Sequence, residues 1–127
     1  MRLLLDTHIY LWFITNDGRL NPAWADLIRN RTNEVHLSVV SLWEALAKHG
    51  KGKLPLPPSP AQYLLAQRSR HSMVSLPLRE VEVLHISNLP MLHKDPFDRM
   101  LICQAILNGL TLVTVDEEVK RYPVTTL

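Results

Sequence analysis

The chain has 127 residues, of which 46% are hydrophobic, one cysteine and a formal net charge of +2 at pH 7. This length suits one compact domain over residues 1–127, and the lone Cys103 excludes an internal disulfide framework. No apolar stretch approaches the roughly 20 residues of a membrane span, and the apolar run after Arg2 is too short for a signal peptide. We therefore expect a soluble, cytoplasmic protein that does not bind membranes.

In chain order, the sequence alternates between short apolar runs and helical segments. Apolar runs predict buried strands, whereas capping residues, Pro and Gly mark the ends of helices. The predicted elements are a strand over 2–5, helices over 7–14 and 22–31, a strand over 35–40, helices over 41–49 and 60–70, a strand over 73–76, helices over 79–88 and 96–108, a strand over 112–115 and a short final strand over 124–126. Apolar strands that alternate with helices indicate an α/β fold, in which helices cover both faces of a parallel sheet.

Four acidic residues recur near the ends of these elements. Asp6 and Asp116 directly follow apolar strands, while Glu44 and Asp98 lie in the first turns of helices. Ligands of open α/β sheets bind outside the carboxyl ends of the strands, where these four carboxylates can gather. The net charge of +2 becomes +6 when the four negative charges are set aside. A basic body around an acidic pocket suits an anionic polymer held near bound cations.

Such a cluster of carboxylates predicts a divalent-metal site. Clustered carboxylates repel one another unless a cation neutralises them. Mg²⁺ and Mn²⁺ are hard ions that prefer carboxylate and water oxygens, and they can promote phosphodiester hydrolysis. The six histidines show no zinc-binding spacing, and there is neither a Walker loop nor a G-x-S-x-G elbow. A metal-dependent nuclease therefore fits the pattern better than a zinc enzyme or a serine hydrolase.

Each acidic residue also has a purely structural interpretation. The segment SLWE matches a capping box that ends in Glu44, and Asp98 suits the first turn of a helix capped by Asp95. Asp6 and Asp116 can likewise cap the turns that follow them. Both interpretations stay open, because a carboxylate can cap a helix and bind a cation at the same time.

Four segments carry a family resemblance: LLLDTHIYLW, VVSLWEALAKHGKGKLPLP, HKDPFDRMLICQAI and TLVTVDEEVKRYPV. In order and spacing they resemble PIN-domain ribonucleases, specifically the VapC-type toxins of type II toxin–antitoxin pairs, over nearly the whole chain. The resemblance implies a PIN-like α/β/α sandwich with a mainly parallel sheet and an endoribonuclease activity that depends on Mg²⁺, or alternatively Mn²⁺. It also implies an RNA substrate, a homodimer and a cognate antitoxin as partner.

Match of motif gives individual residues the roles of the family's site. The acidic set that binds metal and performs catalysis consists of Asp6, Glu44, Asp98 and Asp116. Thr114, two residues before Asp116, matches a polar position beside that site, and Asp95 is an additional acid.

Basic residues near the acidic segments have two interpretations. Lys48, Lys51 and Lys53 follow the Glu44 helix and suit either phosphate contacts or a solvated helix end. Arg99 suits either a contact with RNA or a pair with a carboxylate.

The aromatic and apolar residues favour core positions, with some exceptions. Trp12 and Trp43 sit in apolar helices and are predicted to be core rather than base-stacking residues. The helix over 8–14 carries more large apolar side chains than a small domain readily buries, which favours a dimer or partner interface, although a core helix stays open. His93 lies near Asp95, but a lone histidine in a loop is more typical of a surface.

Two functions compete with a toxin. One is a PIN-type nuclease of RNA maturation or decay, and the other is a non-catalytic interaction module of the same fold. A binding module gains nothing from four mutually repelling carboxylates, so the intact set favours an enzyme. An adjacent reading frame for a small antitoxin would distinguish a toxin from a housekeeping nuclease.

Overall fold

The computed structural model describes residues 1–127 and contains four strands and seven α-helices. In chain order these are β1 (Arg2–Leu5), α1 (Thr7–Ile14), α2 (Pro22–Arg29), β2 (Glu34–Ser38), α3 (Val39–Gly50), α4 (Pro60–Arg70), β3 (Val74–Leu76), α5 (Glu80–His85), α6 (Pro96–Asn108), β4 (Thr111–Val113) and α7 (Glu117–Lys120). A 3-10 turn over Ile86–Asn88 extends α5.

The four strands form one parallel sheet in the order β3-β2-β1-β4. The chain first builds outward from β1 through β2 to β3, and then returns to add β4 on the other side of β1. The order of strands therefore reverses between β1 and β4. In open α/β sheets the crevice outside the carboxyl ends of the strands at such a reversal is where ligands bind.

Alternate residues of the strands feed two hydrophobic cores, one on each face of the sheet. Leu3 and Leu5 join the core that contains residues of α1, α2 and α4, whereas Leu4 joins the core built around α6. Successive side chains of a strand point to opposite faces, so the strands are apolar throughout because both faces are covered. The predicted α/β/α sandwich with its parallel sheet is confirmed.

The boundary between β2 and α3 differs from the prediction. The strand ends at Ser38, whose hydroxyl accepts a hydrogen bond from the backbone N–H of Val40 at 3.0 Å and caps α3. The predicted start at Ser41 is therefore wrong by a few residues, and Glu44 lies in the second turn. Glu44 cannot close a capping box from there, so that interpretation is also wrong.

The end of the chain differs as well. Strand β4 stops at Val113, which leaves two residues between the strand and Asp116. Asp116 caps the short helix α7, and the predicted final strand is reduced to one bridge between Leu112 and Thr126. None of the helices has both the length and the apolar character needed to cross a membrane.

Candidate active site

Asp6 lies at the carboxyl end of β1 and is almost fully buried. Its Oδ1 accepts from the backbone N–H of Ile9 at 3.0 Å and thereby caps α1. Its Oδ2 accepts from the hydroxyl of Thr114 at 2.6 Å, and the oxygen of that hydroxyl accepts from the backbone N–H of Asp116 at 3.1 Å. Thr114 thus links the chain segments that follow β1 and β4.

Glu44 is the most deeply buried acid of the site, with 1% of its surface exposed. Its Oε2 forms an ion pair with Lys48, one turn further along α3. Its Oε1 is buried and has no hydrogen-bond partner. A buried carboxylate oxygen without a partner is costly, so this atom suits a bound cation.

The first turn of α6 supplies two further acids. Asp95 is the N-cap, and its Oδ1 accepts from the backbone N–H groups of Phe97 at 2.8 Å and Asp98 at 3.2 Å. Pro96 occupies the first helical position, where no N–H is needed. Asp98 is the third residue of the helix, and the buried stripe that begins at Leu101 fixes α6 against the sheet.

His93 joins the acids of α6 to the acid that follows β4. Its Nε2 lies 3.1 Å from Oδ2 of Asp98 and 3.0 Å from Oδ2 of Asp116. Its Nδ1 accepts from the backbone N–H of Asp95 at 3.1 Å, which assigns the proton of the neutral ring to Nε2. One ligand atom from each of His93, Asp98 and Asp116 can be chosen so that all lie within 4.8 Å of one another.

The loop that carries His93 is held by Tyr122. The Tyr122 hydroxyl oxygen accepts from the backbone N–H groups of Leu92 at 3.1 Å and His93 at 2.8 Å. Because Tyr122 is buried in the second core, the imidazole position is supported from the protein interior.

Burial and mutual repulsion perturb the acids in the interior of the cluster. Burial raises the pKa of Asp98 to about 7, with the negative charges of Asp95, Glu44 and Asp6 adding to the rise and His93 opposing it. Burial also raises the pKa of Asp6, although the hydrogen bond from Thr114 offsets part of this effect. These carboxylates therefore resist ionisation together, as expected for a site that a cation neutralises.

The rim of the cluster shows the opposite behaviour. Burial alone would raise the pKa of Asp116, but the hydrogen bond with His93, the charge of His93 and hydrogen bonds from the backbone of Glu118 and Val119 together outweigh burial and lower that pKa. Burial alone would lower the pKa of His93, but the hydrogen bond with Asp116 and the charge of Asp98 raise it. His93 and Asp116 thus stabilise each other's charged forms.

Comparison with known proteins identifies the family. The PIN domain family matches residues 3–124. The chain belongs to the PIN domain family. It is similar to ribonuclease VapC22 of Mycobacterium tuberculosis, with 28% identity over 122 residues that cover 94% of this chain and 91% of that protein.

Two solved structures resemble this PIN domain over its full length. The structure of VapBC2 from Rickettsia felis, bound to a DNA fragment from their promoter, has a TM-score of 0.76 and 20% identity and covers 100% of this chain and 98% of that chain. The DNA-bound VapBC from Salmonella typhimurium has a TM-score of 0.69 and 19% identity and covers 100% of this chain and 97% of that chain. These likenesses concern the fold.

The PIN domain brings the predicted acids to one edge of its sheet. Glu44 contributes to the rise in the pKa of both Asp6 and Asp98, so the three carboxylates are close enough to interact. Asp116 reaches Asp98 through His93. From the sequence a surface position was favoured for His93, although its proximity to Asp95 was noted, and that proximity was the signal that pointed to the site.

The predicted RNA-binding residues are less uniform. Lys48 is paired with Glu44, while Lys51 and Lys53 are exposed after the end of α3. The guanidinium of Arg99 donates to the backbone carbonyl of Ile86 at 3.4 Å, and it forms no ion pair with a carboxylate.

The two tryptophans predicted as core differ from each other. Trp12 is partly buried against the first core, whereas Trp43 is 59% exposed, so the prediction for Trp43 is wrong. The sequence of an apolar helix does not show which face of the helix is left open to solvent in the folded protein. Trp43 lies on the solvent-exposed face of α3.

Proposed function

We propose that this chain is a metal-dependent endoribonuclease and the toxin of a toxin–antitoxin pair. The observation that carries the nuclease proposal is the cluster of Asp6, Glu44 and Asp98, which contains a buried carboxylate oxygen with no protein partner. Its position outside the carboxyl ends of β1 and β4 is where α/β folds bind ligands.

The donor set fits Mg²⁺ or Mn²⁺. Carboxylate oxygens are the ligands that these hard ions prefer, and the imidazole of His93 is a further donor that suits Mn²⁺ better than Mg²⁺. The residues that would hold one or two ions are Asp6, Glu44, Asp98 and Asp116. When bound, such ions lower the pKa of a water and stabilise charge on the oxygens of a phosphodiester.

The other residues of the site hold these acids in place. Thr114 donates to Asp6 and orients its carboxylate, while Asp95 uses its own carboxylate to cap α6. The ammonium group of Lys48 balances the negative charge of Glu44. Because burial and the neighbouring carboxylates raise the pKa of Asp98 to about 7, protonation of this carboxyl competes with cation binding, which should strengthen as the pH rises.

The relatives support the finer assignment to a toxin. VapC22 is named a ribonuclease, and several of the solved structures that resemble this chain, including the two described above, are VapBC complexes. We propose by analogy that RNA is the substrate, that a cognate antitoxin binds this chain and blocks its acidic cleft, and that the chain forms a homodimer.

Cleavage of RNA with and without metal tests the nuclease proposal. We expect cleavage of single-stranded RNA in Mg²⁺ or Mn²⁺, no cleavage in EDTA, and no cleavage by Asp6→Asn in either ion. Full activity in EDTA, or full activity of Asp6→Asn, would show that the acidic site is not the nuclease centre.

A second experiment tests the toxin assignment. Expression of the wild type should arrest growth, and sequencing of RNA 5′ ends should show new ends that are absent with Asp6→Asn. Co-expression of the protein encoded by an adjacent small reading frame should restore growth. Active RNA cleavage without growth arrest would favour a nuclease of RNA maturation or decay.

A further inference from the structure

An exposed aromatic side chain stands beside the acidic cluster. Trp43 directly precedes Glu44 on α3, and 59% of its surface is exposed. Phe97 directly precedes Asp98 on α6, and the two rings meet in a T-shaped contact with centroids 4.8 Å apart and an interplanar angle of 82°. The aromatic pair therefore joins the two helices that carry Glu44 and Asp98.

The contact with Phe97 orients the indole without covering it. Phe97 is partly buried and packs against the second core, so it is a fixed support. In a T-shaped pair one ring presents its edge to the other, and at least one face of the indole is left uncovered by Phe97 in either arrangement. A rigid aromatic face open to solvent is the feature on which proteins stack unpaired bases of single-stranded nucleic acids.

We infer that Trp43 is a stacking platform for one unpaired base of an RNA strand whose backbone lies at the acidic cluster. This inference rests on the proposed ribonuclease function. Stacking of a neighbouring base would fix the strand relative to Asp98 and Glu44, and it would favour single-stranded over paired RNA because a base within a duplex has no free face.

The surroundings of Trp43 favour a base over a protein partner. A partner helix or groove would require an apolar stripe on α3 with residues three or four positions apart. Val40 is buried, and Leu46 is partly buried against the first core. Trp43 is thus the only large apolar side chain of α3 that is exposed, which matches the area of one base rather than that of a protein interface.

The test measures binding of fluorescein-labelled single-stranded dodecamers, oligo(A) and oligo(U), by fluorescence anisotropy in Mg²⁺. All proteins carry Asp6→Asn, which prevents cleavage if the proposed function is right. We expect Trp43→Ala and Trp43→Leu to weaken binding of oligo(A) about 5- to 150-fold, the range for loss of one stacked base. Trp43→Phe should keep most of the affinity, and the effect should be larger for oligo(A) than for oligo(U).

Two readouts separate stacking from other roles. The slope of log affinity against log salt should not change, because loss of a stacked base releases no counterions. The matched control is Leu84→Ala, since Leu84 is a large apolar residue of α5 that is 65% exposed. The RNA affinity of this variant should equal that of the protein that carries Asp6→Asn alone. Thermal unfolding should show that all variants fold.

Several results would overturn the inference. Equal RNA affinities of Trp43→Leu and Trp43→Phe would show that the aromatic ring is not needed for binding. A loss of RNA affinity in Leu84→Ala equal to that in Trp43→Ala would show that the effect is not specific to Trp43. Unchanged RNA affinity combined with loss of a dimer in light scattering of Trp43→Ala would make Trp43 an interface residue. Cleavage by the otherwise wild-type protein is measured separately, so failure of the nuclease proposal and failure of the stacking platform give different results.

Discussion

Asp98 is the acid whose charge the fold tolerates least, and its replacement by Asn tests the electrostatics of the site. Burial, together with the charges of Asp95, Glu44 and Asp6, raises its pKa from 3.8 to about 7. About three units at about 1.4 kcal/mol each correspond to about 4 kcal/mol of destabilisation when the carboxyl is ionised. Because the side chain keeps 19% exposure and lies 3.1 Å from His93, we expect about 1–3 kcal/mol of this in practice.

The sign of the effect follows from proton binding. Unfolded Asp98 ionises near pH 4, about the usual value for aspartate, whereas folded Asp98 ionises at about pH 7. Between these values the folded state binds more protons, so stability falls as the pH rises and the loss is complete above the folded pKa. Asp98→Asn cannot ionise and escapes this loss. It should match the wild type near pH 4 and be more stable by about 1–3 kcal/mol at pH 8.

Thermal unfolding in EDTA at both pH values measures this difference. For a chain of this size each kcal/mol corresponds to roughly 3–6 °C in Tm. The matched control is Asp26→Asn on α2, because the Asp26 side chain is 81% exposed. The difference in Tm between this variant and the wild type should not grow with pH. Added Mg²⁺ should raise the Tm of the wild type more than that of Asp98→Asn, which should not cleave RNA. A Tm difference that is the same at both pH values, or a less stable variant at pH 8, would refute the reasoning.

Three further predictions concern other parts of the molecule. If Lys51 and Lys53 contact phosphates, replacing both by Gln should reduce the magnitude of the negative slope of log affinity against log salt by about 1.4, at about 0.7 per contact with a single strand. An unchanged slope in a salt titration would show that both side chains are solvated and do not contact RNA. If the apolar groove beside Trp12 is the homodimer contact, light scattering should show a dimer for the wild type and a monomer for Trp12→Glu. Glu82 is fully buried and accepts hydrogen bonds from Arg79, Gln104 and Asn108, so Glu82→Ala should cost about 3 kcal/mol in urea unfolding, and a loss near zero would show that water replaces the carboxylate.

The fold could be predicted because its signals are local. Helix α6 is marked by an N-cap, a Pro at its first position and Gly109, which adopts the left-handed conformation that ends the helix. The start of α3 was less certain, since Ser38 and Ser41 are both suitable caps and the valines between them suit a strand as well as a helix. The pairing of β2 with β3 decides which serine is the cap. This pairing ends at Ser38, which lies opposite Leu76, so the helix begins directly after Ser38.

The candidate site could be predicted only in part. The acids were visible because each lies close to the start of a predicted helix or the end of a predicted strand. The position of His93 depends on segments far apart in sequence, since Tyr122 accepts hydrogen bonds from its loop while its Nε2 lies within 3.1 Å of the carboxylates of Asp98 and Asp116. The exposure of Trp43 likewise depends on which neighbours α3 has in the folded molecule, and periodicity along one helix carries no such information.

Capping and the proposed cation binding would use the same side chains in this fold. Asp6 and Asp116 each use Oδ1 to accept a backbone N–H at a helix start, and each directs Oδ2 to a partner within the site. The two interpretations of these acids are therefore compatible. A helix N-terminus also places its unpaired N–H groups, and the positive end of its dipole, beside the carboxylate, which offsets part of the repulsion within the cluster.

Asp95 and Asp116 allow the two roles to be separated, because Asn can cap a helix but carries no charge. Asp95→Asn should keep its stability and much of its activity, since both hydrogen bonds that the Asp95 side chain accepts come from backbone N–H groups in the first turn of α6. Asp116→Asn should keep the cap of α7 but place an amide N–H against the Nε2–H of His93, so we expect a small loss of stability and a large loss of cleavage. Asp95→Ala should cost about 1 kcal/mol, and Asp116→Ala less, because α7 spans only four residues. Melting temperatures and cleavage rates of the four variants decide the matter: if Asp95→Asn is as inactive as Asp116→Asn, then Asp95 belongs to the metal-binding set and capping is not its main role.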